Sequence, residues 1–179
     1  MRKQLLWVGL ALFLPMIPAA AQNRPPAASL AAKAAPPSSD QSVAGKWTYR
    51  SFVNTPELVG NDPNKALDLI FGEGVFTFDI SPDAALKGTL DMGGGFVLDL
   101  QGTARPAAQD ALLTVDIVGN GRVNTPTAGW EYDYRANLAY KWPTGVNQTP
   151  ALVGTVIRAK PHDGNPAGVV ASFIAVKQP

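Results

Sequence analysis

The stretch Gly129–Trp142, GWEYDYRANLAYKW, constrains the fold more than any other part of the chain. Every even position in it is apolar or aromatic: Trp130, Tyr132, Tyr134, Ala136, Leu138, Tyr140 and Trp142. The odd positions between them carry Glu131, Asp133, Arg135, Asn137, Ala139 and Lys141. A helix returns to one face every three or four residues, whereas a period of two belongs to an extended strand. The alternation therefore predicts a β-strand over 129–141 with one dry face and one solvated face. At ~3.3 Å per residue that strand would span roughly 45 Å, long for a strand, so a bend or bulge is expected near Ala136-Asn137.

Shorter alternating segments surround it. They predict strands over 46–53, 75–80, 85–92, 96–102, 111–118, 151–160 and 168–177. Turn chemistry separates them: Ser81-Pro82-Asp83, Gly93-Gly94-Gly95 and Gly119-Asn120-Gly121. Leu67, Leu69 and Phe71 alternate briefly before Gly72-Glu73-Gly74, which reads as a further turn. The connection from Asn54 to about Ala66, rich in Pro, Gly, Asn and Asp, is the least typical loop. No helical periodicity of useful length follows Val43. Eight consecutive antiparallel strands with one apolar face close most economically into an up-and-down barrel, which leaves no free edge. The predicted class is all-β, an eight-stranded antiparallel up-and-down barrel, with a two-sheet β-sandwich as the alternative.

The barrel is expected to occupy residues 44–179. Ahead of it, Arg2 and Lys3 precede an apolar run, Leu5–Ile17, and Ala19-Ala20-Ala21 forms a small-residue site before Gln22. This is the pattern of a signal peptide over residues 1–21, cleaved after Ala21. It implies a periplasmic or secreted protein with no membrane span after cleavage. Residues 22–43 are Ala, Pro and Ser with two Pro-Pro pairs and no aromatic residue, the composition of a disordered linker. The chain has no cysteine, so burial alone must hold the domain, which is feasible at about 135 residues. Loss of Arg2 and Lys3 leaves thirteen basic residues against fourteen acidic ones, a formal charge of −1. That balance gives no electrostatic case for nucleic acid.

The chemistry-bearing residues give few patterns. His162 is the lone histidine, in the turn KPHDG, and no metal-ligand spacing accompanies it. No Ser lies in a nucleophile-elbow setting. Gly93–Gly95 leads into a strand and not a helix, so no phosphate cradle is expected. Glu131 and Asp133 share the polar strand face with Arg135, which reads as a salt-bridged outer surface. No catalytic residue, metal ligand or cofactor site is assigned. What remains is the aromatic stripe. Trp130, Tyr132 and Tyr134, with Trp47 and Tyr49 from the first strand, are the candidate ligand-binding residues. Core packing alone would account for such aromatics, since each buries ~1.5–3 kcal/mol of transfer energy. Their phenol groups argue for a pocket, because a buried hydroxyl needs a partner that a ligand or water at a barrel mouth supplies.

Gly45-Lys46-Trp47 resembles the G-x-W that opens the barrels of the calycin group, the lipocalins and avidins. Phe76–Arg105, FTFDISPDAALKGTLDMGGGFVLDLQGTAR, is similar to the second to fourth strands of avidin-type proteins. Trp130–Tyr134 resembles their W-x-x-x-Y strand. The likeness spans most of residues 45–177 through short motifs. It implies a barrel with Trp47 and Trp130 at matching positions. Where avidins bond biotin with polar groups, this chain has Tyr49, Leu90 and Met92, and Val156-Ile157 and Ala171-Ser172 stand where a Trp and an Asp occur, so tight biotin binding is not implied.

Together these features lead to an exported, monomeric or weakly oligomeric barrel that binds a small apolar or aromatic ligand without catalysis. The alternatives are a structural or accessory module that binds a protein partner, with Asn54–Ala66 as the candidate contact loop, and an isomerase-like or cyclase-like barrel enzyme working with Tyr and carboxylate groups.

Overall fold

The structure, a computed structural model, describes residues 43–55, 57, 59–105 and 112–179. The expected signal peptide, and the expected linker up to residue 42, lie outside the described residues. Eight strands follow one another around a closed barrel: β1 (Gly45–Val53), β2 (Ile70–Ile80), β3 (Ala85–Asp91), β4 (Val97–Arg105), β5 (Thr114–Gly121), β6 (Glu131–Leu138), β7 (Ala151–Arg158) and β8 (Val170–Lys177). Each strand pairs antiparallel with its neighbour, and β8 closes on β1 through pairs such as Tyr49↔Ala175. The protein is thus an all-β, eight-stranded antiparallel up-and-down barrel, and the sandwich alternative is excluded.

The pleat places the apolar sets inside. In β6, Tyr132, Tyr134 and Ala136 are buried, while Glu131, Asp133 and Arg135 take the opposite face. Outside, Arg135 and Arg105 converge on Asp116, and Arg122 grips Asp99 with two nitrogens. Inside, Trp47, Phe76, Phe78, Leu86, Leu100, Val115 and Leu152 fill the end of the barrel where β1 begins. The Trp47 indole donates to the Val43 carbonyl at 2.9 Å, and the Lys177 ammonium lies 5.6 Å above its ring. Val43 is itself buried, so the chain enters the barrel one residue before the expected boundary.

Three sequence expectations change. First, β6 ends at Leu138, and the bulge expected at Ala136-Asn137 is absent: both residues pair in register with Gly154 and Val153. The barrel is too short for thirteen paired residues. β5 begins at Thr114 opposite Asn137, so the alternation runs on past the rim. Tyr140 and Trp142, 60% and 67% exposed, pack edge to face on one another at 5.3 Å. The register shift lies instead between Ser51 and Phe52, where β1 meets the start of β2. Second, Gly72-Glu73-Gly74 is not a turn but part of β2, which begins at Ile70. Gly74 is there for close approach: a Cβ on it would lie 2.5 Å from the Asp91 carbonyl oxygen. Gly119-Asn120-Gly121 likewise stays within β5, with Asn120 paired to Glu131. Third, Pro63–Leu69, read as the end of the Asn54–Ala66 loop and a brief alternation, is a 3₁₀ helix with Leu67 66% exposed. Asp62 caps it by accepting the Asn64 N–H at 3.0 Å, and a proline starts it. Seven residues are too few for a helical period to show in the sequence.

Candidate functional site

The connections β1–β2, β3–β4, β5–β6 and β7–β8 gather at one end of the barrel, away from Trp47. Here the core gives way to a cavity of about 470 Å³. Its floor is an aromatic cluster built by four strands. Tyr49 of β1 meets Phe76 of β2 at 4.7 Å and Phe173 of β8 at 5.4 Å, and Tyr134 of β6 meets Phe76 at 5.6 Å. Leu90, Leu98 and Phe71 form apolar walls. Trp130, just before β6, and Tyr132 stand above Tyr134, as the two-residue period of the strand requires.

Polar groups stand among these apolar walls, and several are held in place. Burial, above all, pushes the Tyr49 phenol far up; the Ser51 side chain opposes this and the neighbouring Tyr132 adds to it. Burial does the same to Tyr134, helped by Tyr49 and Tyr132. Both therefore remain neutral phenols at any ordinary pH. The Tyr132 hydroxyl lies 2.6 Å from Nε2 of His162. The imidazole stacks on Trp130 with centroids 3.9 Å apart and an 18° interplanar angle. Nδ1 of the same ring faces the Asp163 carboxylate at 3.3 Å. A Tyr132 O–H donating to Nε2 is consistent with the proton on Nδ1 facing Asp163. The turn itself is held by reciprocal backbone bonds between His162 and Asn165 at 3.2 and 2.8 Å.

Arg158 is the remaining charged group of the wall. It is the last residue of β7, in phase with the buried Leu152 and Val156, so its stem points inward and it is only 8% exposed. One guanidinium nitrogen, Nη1, donates to the Pro166 carbonyl at 3.0 Å. The guanidinium carbon lies 5.1 Å from the centre of the Phe71 ring. Its Nε is buried with no hydrogen-bond partner. Among the described residues no carboxylate forms an ion pair with it. The two acids at the cavity rim are engaged elsewhere, Glu73 with Arg50 and Asp163 with His162.

Of the five residues singled out from sequence, Tyr49, Trp130, Tyr132 and Tyr134 line the cavity. Trp47 does not: it is sealed in the core at the other end of the barrel. Glu131 and Asp133 point outward, and Glu131 pairs with Lys160 at 2.5 Å. Arg158 and His162 were not singled out for the site. The signal for Arg158 was present, since ALVGTVIR alternates and the arginine falls in its dry phase. Nothing local marks His162, which a distant loop brings to Tyr132. Among the described residues no group of three or more His, Asp or Glu is placed to hold a metal ion.

Comparison of the chain with protein-family models, with curated proteins and with solved structures gives no match. The barrel is compatible with a calycin-type fold, and the resemblance in sequence reaches no further than that.

Proposed function

We propose that the protein is an exported, non-catalytic barrel of distant calycin type that holds one small, mainly apolar or aromatic molecule in the cavity above Tyr49 and Tyr134. The observation that carries the reading is the cavity itself. Its volume of about 470 Å³ lies within the ~300–1,000 Å³ of small-molecule sites, and apolar walls with a few placed polar groups are the usual lining. The leader-like start of the chain supports export, and the G-x-W opening, whose Trp47 closes the far end of the barrel, supports the calycin reading. A flat ligand suits the site because Trp130, Phe71 and Tyr132 offer ring faces and edges at the mouth. Native mass spectrometry of protein from its own host tests this: a co-purifying small molecule that Trp130→Ala releases supports it. Titration with N-phenyl-1-naphthylamine, a neutral aromatic fluorophore, is the second test. Saturable binding that Trp130→Ala weakens is the expected result, and no saturable binding at all would sink the proposal.

A further inference from the structure

We propose that the ligand of this cavity is an anion, a flat or apolar monocarboxylate, whose carboxylate pairs with the Arg158 guanidinium. The inference rests on the reading of the cavity as a small-molecule site and adds the charge of the molecule. An arginine cannot shed its proton to escape burial, so Arg158 carries a full positive charge inside the barrel wall. A buried charge with no counter-ion is strongly unfavourable. The chain offers little relief: the Pro166 carbonyl takes one N–H, and the Phe71 ring supplies a weak cation–π contact. Nε is left with no partner, and no hydrogen bond engages Nη2 among the described residues. Of these two nitrogens Nε is closed off by the surrounding protein, and Nη2 is the one that a carboxylate oxygen entering from the cavity would meet.

The rest of the lining narrows the class. Arg158 is the one lysine or arginine of the lining, beside apolar walls and the rim acids Glu73 and Asp163, so it balances at most one negative charge, which favours a carboxylate over a phosphate monoester. The rim acids Glu73 and Asp163 are exposed and already engaged with Arg50 and His162, so neither forms an ion pair with Arg158. The carboxylate would lie on the Arg158 side of the cavity, with the apolar body against Phe71, Trp130 and Leu90.

The test compares 2-naphthoate with its neutral isostere 2-naphthamide on the full chain by calorimetric titration. The unchanged protein should bind the acid at least about tenfold more tightly, the usual reach of a charge-assisted hydrogen bond. Arg158→Gln should erase that preference by weakening 2-naphthoate far more than 2-naphthamide. Equal binding of acid and amide by the unchanged protein overturns the anion assignment and leaves the cavity reading standing. A preference that survives Arg158→Gln overturns Arg158 as the anchor. Should Arg158→Gln fail to fold, Arg158→Lys replaces it: a reduced preference supports the pairing, and an unchanged one overturns it. Failure of both compounds to bind removes the cavity reading and this inference with it.

Discussion

The Tyr132 hydroxyl and His162 Nε2 lie 2.6 Å apart although thirty residues separate them in the chain. The pair ties β6 to the β7–β8 loop across the cavity mouth, and the stacking of His162 on Trp130 fixes the ring. A double-mutant cycle with Tyr132→Phe and His162→Ala should show a coupling of about 0.5–1.5 kcal/mol, the net worth of one hydrogen bond. Urea unfolding of the four proteins measures it. Additive effects would mean that the pair does not form in solution.

Trp47 and Trp130 should separate stability from binding. Trp47 is fully buried with its indole N–H bonded, so Trp47→Ala should cost ~3–5 kcal/mol through lost transfer energy and a cavity. Trp130 is only partly buried at the mouth, and Trp130→Ala should cost ~1–2 kcal/mol while weakening the binding of an aromatic probe. Glu131→Ala, which removes a surface pair with Lys160, should stay under ~1 kcal/mol. Denaturation and probe titration of the three variants check the order. A Trp47→Ala variant no less stable than Trp130→Ala would reverse the roles given to the two ends of the barrel.

The fold was legible because period-two alternation is a local property, and in β6 it fixed the faces of Tyr132 and Tyr134 correctly. Strand ends were less legible. The alternation through Tyr140 and Trp142 continues after the neighbouring strands have stopped, and barrel height depends on those neighbours. Gly72 and Gly74 look like turn residues, yet both lie within β2, and Gly74 answers to the close backbone of β3. The site was half legible. Trp130, Tyr132 and Tyr134 came with their strand, whereas His162 reached the cavity through closure of the barrel. Arg158 was readable by phase but is an arginine on a dry face, which pattern alone treats as an exception.

Gly154 marks one of the tight approaches between strands of the barrel. A Cβ on it would lie 2.0 Å from the Arg135 carbonyl oxygen and 2.6 Å from Ala136 Cα, so backbone and not a flexible side chain stands in the way. Gly154→Ala should force β6 and β7 apart at the pair Ala136↔Gly154 and cost about 1–3 kcal/mol or more. Thermal unfolding compares it with Gly164→Ala, a loop position with open space, whose positive φ carries a smaller backbone penalty of about 1 kcal/mol. Equal losses in the two variants would contradict the close approach of β6 and β7.

The buried phenols predict how the barrel responds to alkali. In the unfolded chain a tyrosine ionises near pH 10. In the barrel, burial holds the Tyr49 and Tyr134 hydroxyls protonated well beyond that. Below about pH 10 both states keep these protons, and the two residues add no pH dependence. Above it the unfolded chain releases two protons that the folded chain retains, so stability must fall as pH rises. The slope is ~1.4 kcal/mol per pH unit for each tyrosine. That slope is reached only well above pH 10; Tyr134→Phe deletes one of these protons without changing the ring, so its loss between about pH 10 and about pH 11 should be smaller by about 1 kcal/mol. Urea unfolding across that range reads both proteins. If Tyr134→Phe and the unchanged chain lost stability in parallel, Tyr134 would have to ionise in the barrel much as it does in water. The closed aromatic floor beneath the cavity would then be wrong.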